Sequence, residues 1–134
     1  MHLLGMKVDP VLIYELDPFL DQAYKQMSAL LEKSPELPTA FIADNDMLAL
    51  GAMQALQQHG IRVPDDVSLI GFNDSHMSSM ANPPLTTIRV PKQTMGSVAV
   101  RQLHHLITHP ADREIYKIQL GSELIERSSV MRRK

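Results

Sequence analysis

The stretch Pro38–Leu85, PTAFIADNDMLALGAMQALQQHGIRVPDDVSLIGFNDSHMSSMANPPL, decides the fold. Ala40 to Ala43 is too short and apolar for a helix and reads as a buried strand. Asp44, Asn45 or Asp46 can cap a helix that runs to about His59 and stops at Gly60, a preferred residue just past a helix end. Ile61 to Asp66 is a turn, and Val67 to Phe72 a second buried strand. A helix between two parallel strands makes a right-handed crossover in nearly all proteins. Each strand ends in a polar cluster, Asp44-Asn45-Asp46 after the first and Asn73-Asp74 after the second. Ligands of open parallel sheets bind beyond the carboxyl ends of the strands, so the two clusters describe one wall of a small-molecule site.

The helix inside this stretch is unusually apolar. Met47, Leu48, Ala49, Leu50, Ala52, Met53, Ala55 and Leu56 leave little polar face, which implies burial on more than one side. One side covers the sheet, and the other needs a second helix or a second subunit. Gly51 costs about 1 kcal/mol relative to Ala in a helix interior, so close backbone packing is expected there.

Working outward, Val11 to Leu16 has the composition of a strand. Asp17-Pro18 suits a helix start, with Asp17 as cap and Pro18 in the first turn. Phe19, Leu20, Ala23, Tyr24, Met27, Leu30 and Leu31 then recur at helical spacing over residues 18–33. Past the central stretch, residues 74–84 read as a polar loop and Leu85 to Val90 as extended chain. Residues 92–108 form a helix with Met95, Val98, Ala99, Gln102, Leu103, Leu106 and Ile107 on its apolar side. Residues 114–120 alternate at period two, as a strand does, and Glu123 to Arg127 can form one more. The pattern is that of an α/β chain.

At 134 residues, with 13 basic and 15 acidic side chains and a net charge of −2, the chain suits one domain and lacks the clustered basic face of a nucleic-acid binder. The basic end Arg132-Arg133-Lys134 reads as a solvated terminus. Cysteine is absent, which excludes disulfides and thiolate chemistry and fits the cytoplasm. No run approaches a membrane span, and the start MHLLGMKVDP lacks the apolar length of a signal peptide. His105 and His109 are spaced to share a helix face, but no acidic residue joins them as in a zinc protease, so no metal is expected. No P-loop, G-x-G-x-x-G or G-x-S-x-G occurs. An enzyme is not expected, and no cofactor.

Four blocks, PTAFIADNDMLALGAMQAL, GIRVPDDVSLIGFND, NPPLTTIRVPKQTMGSVAV and LGSELIERSSV, resemble the LacI/GalR family of bacterial transcription regulators. Residues 1–37 match more loosely. The resemblance implies a periplasmic-binding-protein-like three-layer sandwich with a mostly parallel sheet, here the latter part of the effector-binding core. Residues 1–91 would belong to the carboxyl-side lobe, 92–122 to the other lobe and 123–134 to a returning segment. The family's amino-terminal helix-turn-helix has no counterpart in this chain, so operator DNA would be met only through that absent domain. The apolar face of helix 92–108 would then lack most of its covering lobe, which favours self-association.

The resemblance also assigns residues. Asn45 would lie in the effector pocket, Asp46 would act more structurally there, and Asn73 stands where relatives often have aspartate. Asp74 would be a pocket residue or loop anchor, and Phe19 an aromatic ring against the effector. Val90 replaces a polar residue of several relatives. A saccharide is the favoured effector class, with the homodimer interface expected at Met47, Leu48, Met53, Met77 and Met80. Periplasmic sugar-binding proteins share the fold, so a solute-binding protein of a sugar transport system is the alternative; a sugar-processing enzyme would need catalytic residues that are not seen.

Overall fold

A computed structural model describes residues 10–33, 35–111 and 114–132. Helix α1 (Leu20–Leu31) leads into strand β1 (Ala40–Ile42), helix α2 (Asp46–Gln58) and strand β2 (Ser68–Phe72). A short helix α3 (His76–Met80) precedes β3 (Thr86–Arg89), the long helix α4 (Lys92–Thr108) and β4 (Glu123–Ile125). The strands form one four-stranded sheet in the order β1-β2-β3-β4. β1, β2 and β3 are parallel, and β4 returns antiparallel to β3 with Ile88 opposite Leu124.

The core follows from strand alternation and from the apolarity of α2. Phe41 and Leu69 are register partners in β1 and β2, and both pack into the cluster that α1 and α2 share with Leu85. Met27 and Leu31 enter from α1, and Leu50, Met53 and Leu56 from α2. Ala40 and Ile42, which alternate with Phe41, point to the other face of the sheet and are exposed. The second side of α2 is thus covered by a helix of its own chain. At Gly51 an added Cβ would run into the Leu20 carbonyl oxygen and come within 2.9 Å of the Ala23 Cβ and the Tyr24 nitrogen. This is the close backbone packing that the glycine implies. Gly60, at φ 76°, ends α2 in the left-handed region as its sequence position suggests.

Several expectations fail locally. Val11 to Leu16 is no strand: Pro10–Leu12 is a single 3-10 turn and the chain then runs irregularly. Strand composition becomes a strand only against a partner, and this run instead lays Tyr14 edge-on against Phe41, ring centroids 5.2 Å apart. Asp17 does not cap α1. The cap position is Phe19, whose N–H donates to the Asp17 carboxylate at 3.1 Å. Residues 114–120 are likewise irregular and largely exposed, with no strand beside them among the described residues. The presumed loop 74–84 contains α3. Helix α4 spans the expected residues, yet none of its side chains is buried. Its apolar side, with Phe72, Val90, Tyr116 and Ile118, lines an open cavity of about 480 Å³.

Candidate functional site

The two polar clusters meet at one edge of the sheet for topological reasons. β1 and β2 are parallel, so the residues just after each lie at the same carboxyl edge. α2 starts immediately after β1, which puts its N-terminus there. α1 leads into β1 and packs along α2, so its first residues lie toward that edge as well.

Asn45 is the N-cap of α2. Its backbone is extended, and its side-chain oxygen accepts from the Leu48 N–H at 2.8 Å. That uses the acceptor half of the amide. The half-buried side chain keeps an NH₂ group with no hydrogen bond among the described residues. Phe19 is 71 % exposed, so ordinary core packing does not account for it. Asn73 is exposed, with φ at 104°, and Asp74 follows with φ at 48°. Both lie in the left-handed region that non-glycine residues seldom occupy, asparagine and aspartate most readily.

The two aspartates serve the interior. Asp46 is 1 % exposed. One carboxylate oxygen accepts from the Thr87 hydroxyl at 2.6 Å, and the other from the Ser75 N–H at 2.5 Å and the Ser78 hydroxyl at 2.7 Å. It therefore joins the start of α2 to the middle of β3 and the start of α3. The Asp74 side chain is 11 % exposed and takes Arg89 Nε on one oxygen at 2.7 Å and Arg127 Nη2 on the other at 2.6 Å. The Arg127 hydrogen bond leads in holding the Asp74 carboxyl below its ordinary value, against the opposing pull of burial, with Arg89 adding to the effect.

Thr87, Ser78, Arg89 and Arg127 were not singled out from sequence. Thr87 and Arg89 stand inside the quoted block NPPLTTIRVPKQTMGSVAV, and Arg127 inside LGSELIERSSV. Its bond to Asp74 spans 53 residues, beyond the reach of any local pattern. Val90 follows β3 and lines the apolar cavity beside α4.

Among the expected interface residues, Met77 and Met80 are exposed, Met80 at 73 %, and Met47 and Leu48 are half-buried. Met53 is corrected: at 4 % exposure it belongs to the core that α1 closes, not to an outer face. His105 and His109 stack with centroids 4.6 Å apart. No group of three or more His, Cys, Asp or Glu among the described residues could hold a metal ion. No helix among them is long and apolar enough to cross a membrane.

Residues 1–130 match the model of the periplasmic binding protein-like domain. The HTH-type transcriptional repressor PurR of Haemophilus influenzae (strain PittEE) is 44 % identical over 112 residues, 82 % of this chain and 33 % of that protein. The HTH-type transcriptional regulator GalR of Streptococcus thermophilus is 35 % identical over 122 residues, 90 % of this chain and 36 % of the relative. The chain thus spans about a third of the length of these curated relatives. Among solved structures, the transcriptional regulator CelR–cellobiose complex superposes with a TM-score of 0.84 at 32 % identity, covering 96 % of this chain and 38 % of that one. The lac repressor dimer bound to operator and the anti-inducer ONPF superposes with a TM-score of 0.78 at 32 % identity, covering 87 % and 40 %. The sheet, the order of its helices and these matches agree: the chain belongs to the periplasmic-binding-protein-like domain family, as part of the effector-binding core of a LacI/GalR-type regulator.

Proposed function

We propose that this chain forms the ligand-sensing and dimerising part of a transcription repressor, binding a small hydroxylated molecule, a saccharide first among them, at the carboxyl edge of its parallel strands. The observation that carries the reading is the convergence of Phe19, Asn45 and Asn73 on that edge. An exposed ring offers a stacking face, and two amides offer donors and acceptors to hydroxyl groups. The structural neighbour that carries cellobiose in its name supports the class. Ligand binding would favour one lobe arrangement, and its effect on DNA affinity can be no larger than its differential affinity for the two states. Operator contact would fall to a helix-turn-helix outside this sequence. The relatives named as HTH-type regulators favour this reading over a transport solute-binding protein.

The test is a thermal-shift panel of sugars and nucleosides on the chain. A ligand at a hundred times its Kd adds about 2.7 kcal/mol of apparent stability, several degrees in melting temperature. Phe19→Ala should weaken the responding ligand by about three- to tenfold, as loss of ring stacking does, while leaving the ligand-free melting temperature unchanged. If no member of the panel shifts the wild-type chain, or if Phe19→Ala lowers stability and leaves affinity intact, the reading fails.

The same reading gives Met47, Leu48, Met77 and Met80 to contact with a second copy. Met80→Lys should raise the dimer dissociation constant in sedimentation experiments with folding retained. A dimer indifferent to Met80→Lys and Leu48→Asp would move the interface elsewhere.

A further inference from the structure

Asp74 sits where the chain leaves and re-enters the sheet. Arg89, which meets one of its oxygens, is the last residue of β3, directly before Val90-Pro91 and the departure into α4. Arg127, which meets the other, comes two residues after β4, when the chain has returned. Arg127 is itself fixed: its Nη1 donates to the Leu85 carbonyl at 2.7 Å and its backbone N–H to the Thr86 hydroxyl at 2.9 Å. A guanidinium can serve two acceptors at once in fixed geometry, which a lysine ammonium on a flexible stem does less well.

The Asn73-Asp74 turn depends on such help. Both residues hold positive φ angles, a conformation that persists in non-glycine residues only when the surroundings over-determine it. The Asn73 N–H is held by the Ile88 carbonyl at 2.9 Å. The Asp74 N–H reaches the Thr87 hydroxyl only at 3.4 Å. The Asp74 backbone is therefore held chiefly through its side chain.

We propose that Arg127 is a positioning residue for the ligand-binding edge: through the Asp74 carboxylate it holds the left-handed turn that presents Asn73, and it locks that turn to the returning segment after β4. Asp74 is then an anchor, its oxygens committed to arginines. Any movement of the returning segment relative to β3 pulls on the turn, and any ligand that fixes Asn73 resists that movement. The consequence for affinity rests on Asn73 being a ligand contact; the consequence for the turn does not.

Amide hydrogen exchange by NMR on the ligand-free chain separates the two. In Arg127→Gln, exchange at Asn73 and Ser75 should quicken by about tenfold or more relative to Ala43 and Ala52, the signature of a local opening. Arg127→Lys should recover part of the protection, and Arg89→Gln, which removes the half-exposed arm, should quicken the same amides less. Should Arg127→Gln not fold, the Lys and Arg89 variants carry the comparison. Unchanged exchange at Asn73 and Ser75, or an equal rise at every amide, overturns the proposal. Cellobiose titration of the same variants then reads the link to affinity: weaker binding in step with faster Asn73 exchange supports it, and binding indifferent to that exchange overturns it. A wild-type chain that binds no sugar or nucleoside refutes the functional reading and leaves the turn measurement standing.

Discussion

Replacing Asp46 with alanine removes an acceptor that serves three donors in a buried place. The Ser75 N–H, the Ser78 hydroxyl and the Thr87 hydroxyl all end on its carboxylate, between 2.5 and 2.7 Å away. The Ser75 and Ser78 hydroxyls are already 2.9 Å apart and can pair, so alanine orphans two donors rather than three. Each orphan costs about 1–3 kcal/mol, a sum of roughly 2–6 kcal/mol. A carboxylate in the first turn of α2 adds about 0.3–1 kcal/mol through the helix dipole. Alanine also removes the cost of burying the charge, which favours the lower half of the range. The expected loss is about 3–4 kcal/mol, against a total of about 5–15 kcal/mol for a domain of ordinary stability. Asparagine keeps one oxygen for Ser75 and Ser78 and turns its NH₂ toward the Thr87 oxygen, so Asp46→Asn should cost only about 1–2 kcal/mol. Urea unfolding followed by far-ultraviolet circular dichroism suits a chain without tryptophan, and an unchanged m-value certifies that the difference is stability. An alanine variant that loses less than about 1 kcal/mol, or asparagine and alanine variants of equal stability, would refute the reasoning that donor satisfaction governs this position.

Gly51→Ala should destabilise by about 1–3 kcal/mol even though alanine is the better helix former by about 1 kcal/mol, because its Cβ meets the backbone of α1. An unchanged urea midpoint would mean that α1 and α2 can slide apart. Asp74 gives a pH signature. Its carboxyl is held below the ordinary value of 3.8, first by Arg127, so its ionised form contributes stability that is fully present above that value and is lost as pH falls through the depressed one. The stability difference between wild type and Asp74→Asn should therefore stay level from neutral pH down to about pH 5 and shrink only in stronger acid; a difference that changes between pH 5 and 8 would contradict the arginine clamp.

What could be read from sequence was local chemistry backed by a partner close in the chain. A cap within Asp44-Asn45-Asp46, Gly60 at a helix end and Gly51 as a point of close approach each need only the residue type and its nearest neighbours, and each is in the structure, with Asn45 as the cap. The runs at 11–16 and 114–120 had equally good strand composition and formed none. A strand is a relation between two segments, and periodicity reports on one. Short α3 escaped because five residues give too little helical period to see, although Ser75 stands at its cap. The apolarity of α2 was read correctly as two covered sides, but pattern alone left open whether a helix or a subunit covered the second. Met53 went to the wrong side of that choice. Arg127 and Thr87 stand in quoted blocks, but their roles could not be read there because they lie in pairings across 53 and 41 residues.

The candidate site shows why two aspartates and two asparagines at neighbouring strand ends are not interchangeable. Asp46 faces hydroxyls and a backbone N–H in a sealed space, and Asp74 faces two guanidinium groups. Anions suit both places, because charged acceptors make the stronger hydrogen bonds. Asn45 spends its oxygen on the helix and keeps its donors, while Asn73 is exposed. An aspartate could cap α2 as well as Asn45 does, but it would bring a charge to the edge and no donor. With both inner aspartates committed, Asp44 is the one exposed carboxylate in the two clusters. The edge therefore offers amide donors and acceptors, one acidic group and the Phe19 ring. On the proposed function, a neutral, hydroxyl-bearing ligand with one flat apolar face would answer that set; an anionic ligand would meet Asp44, while Arg89 is already held by Asp74 and Glu123.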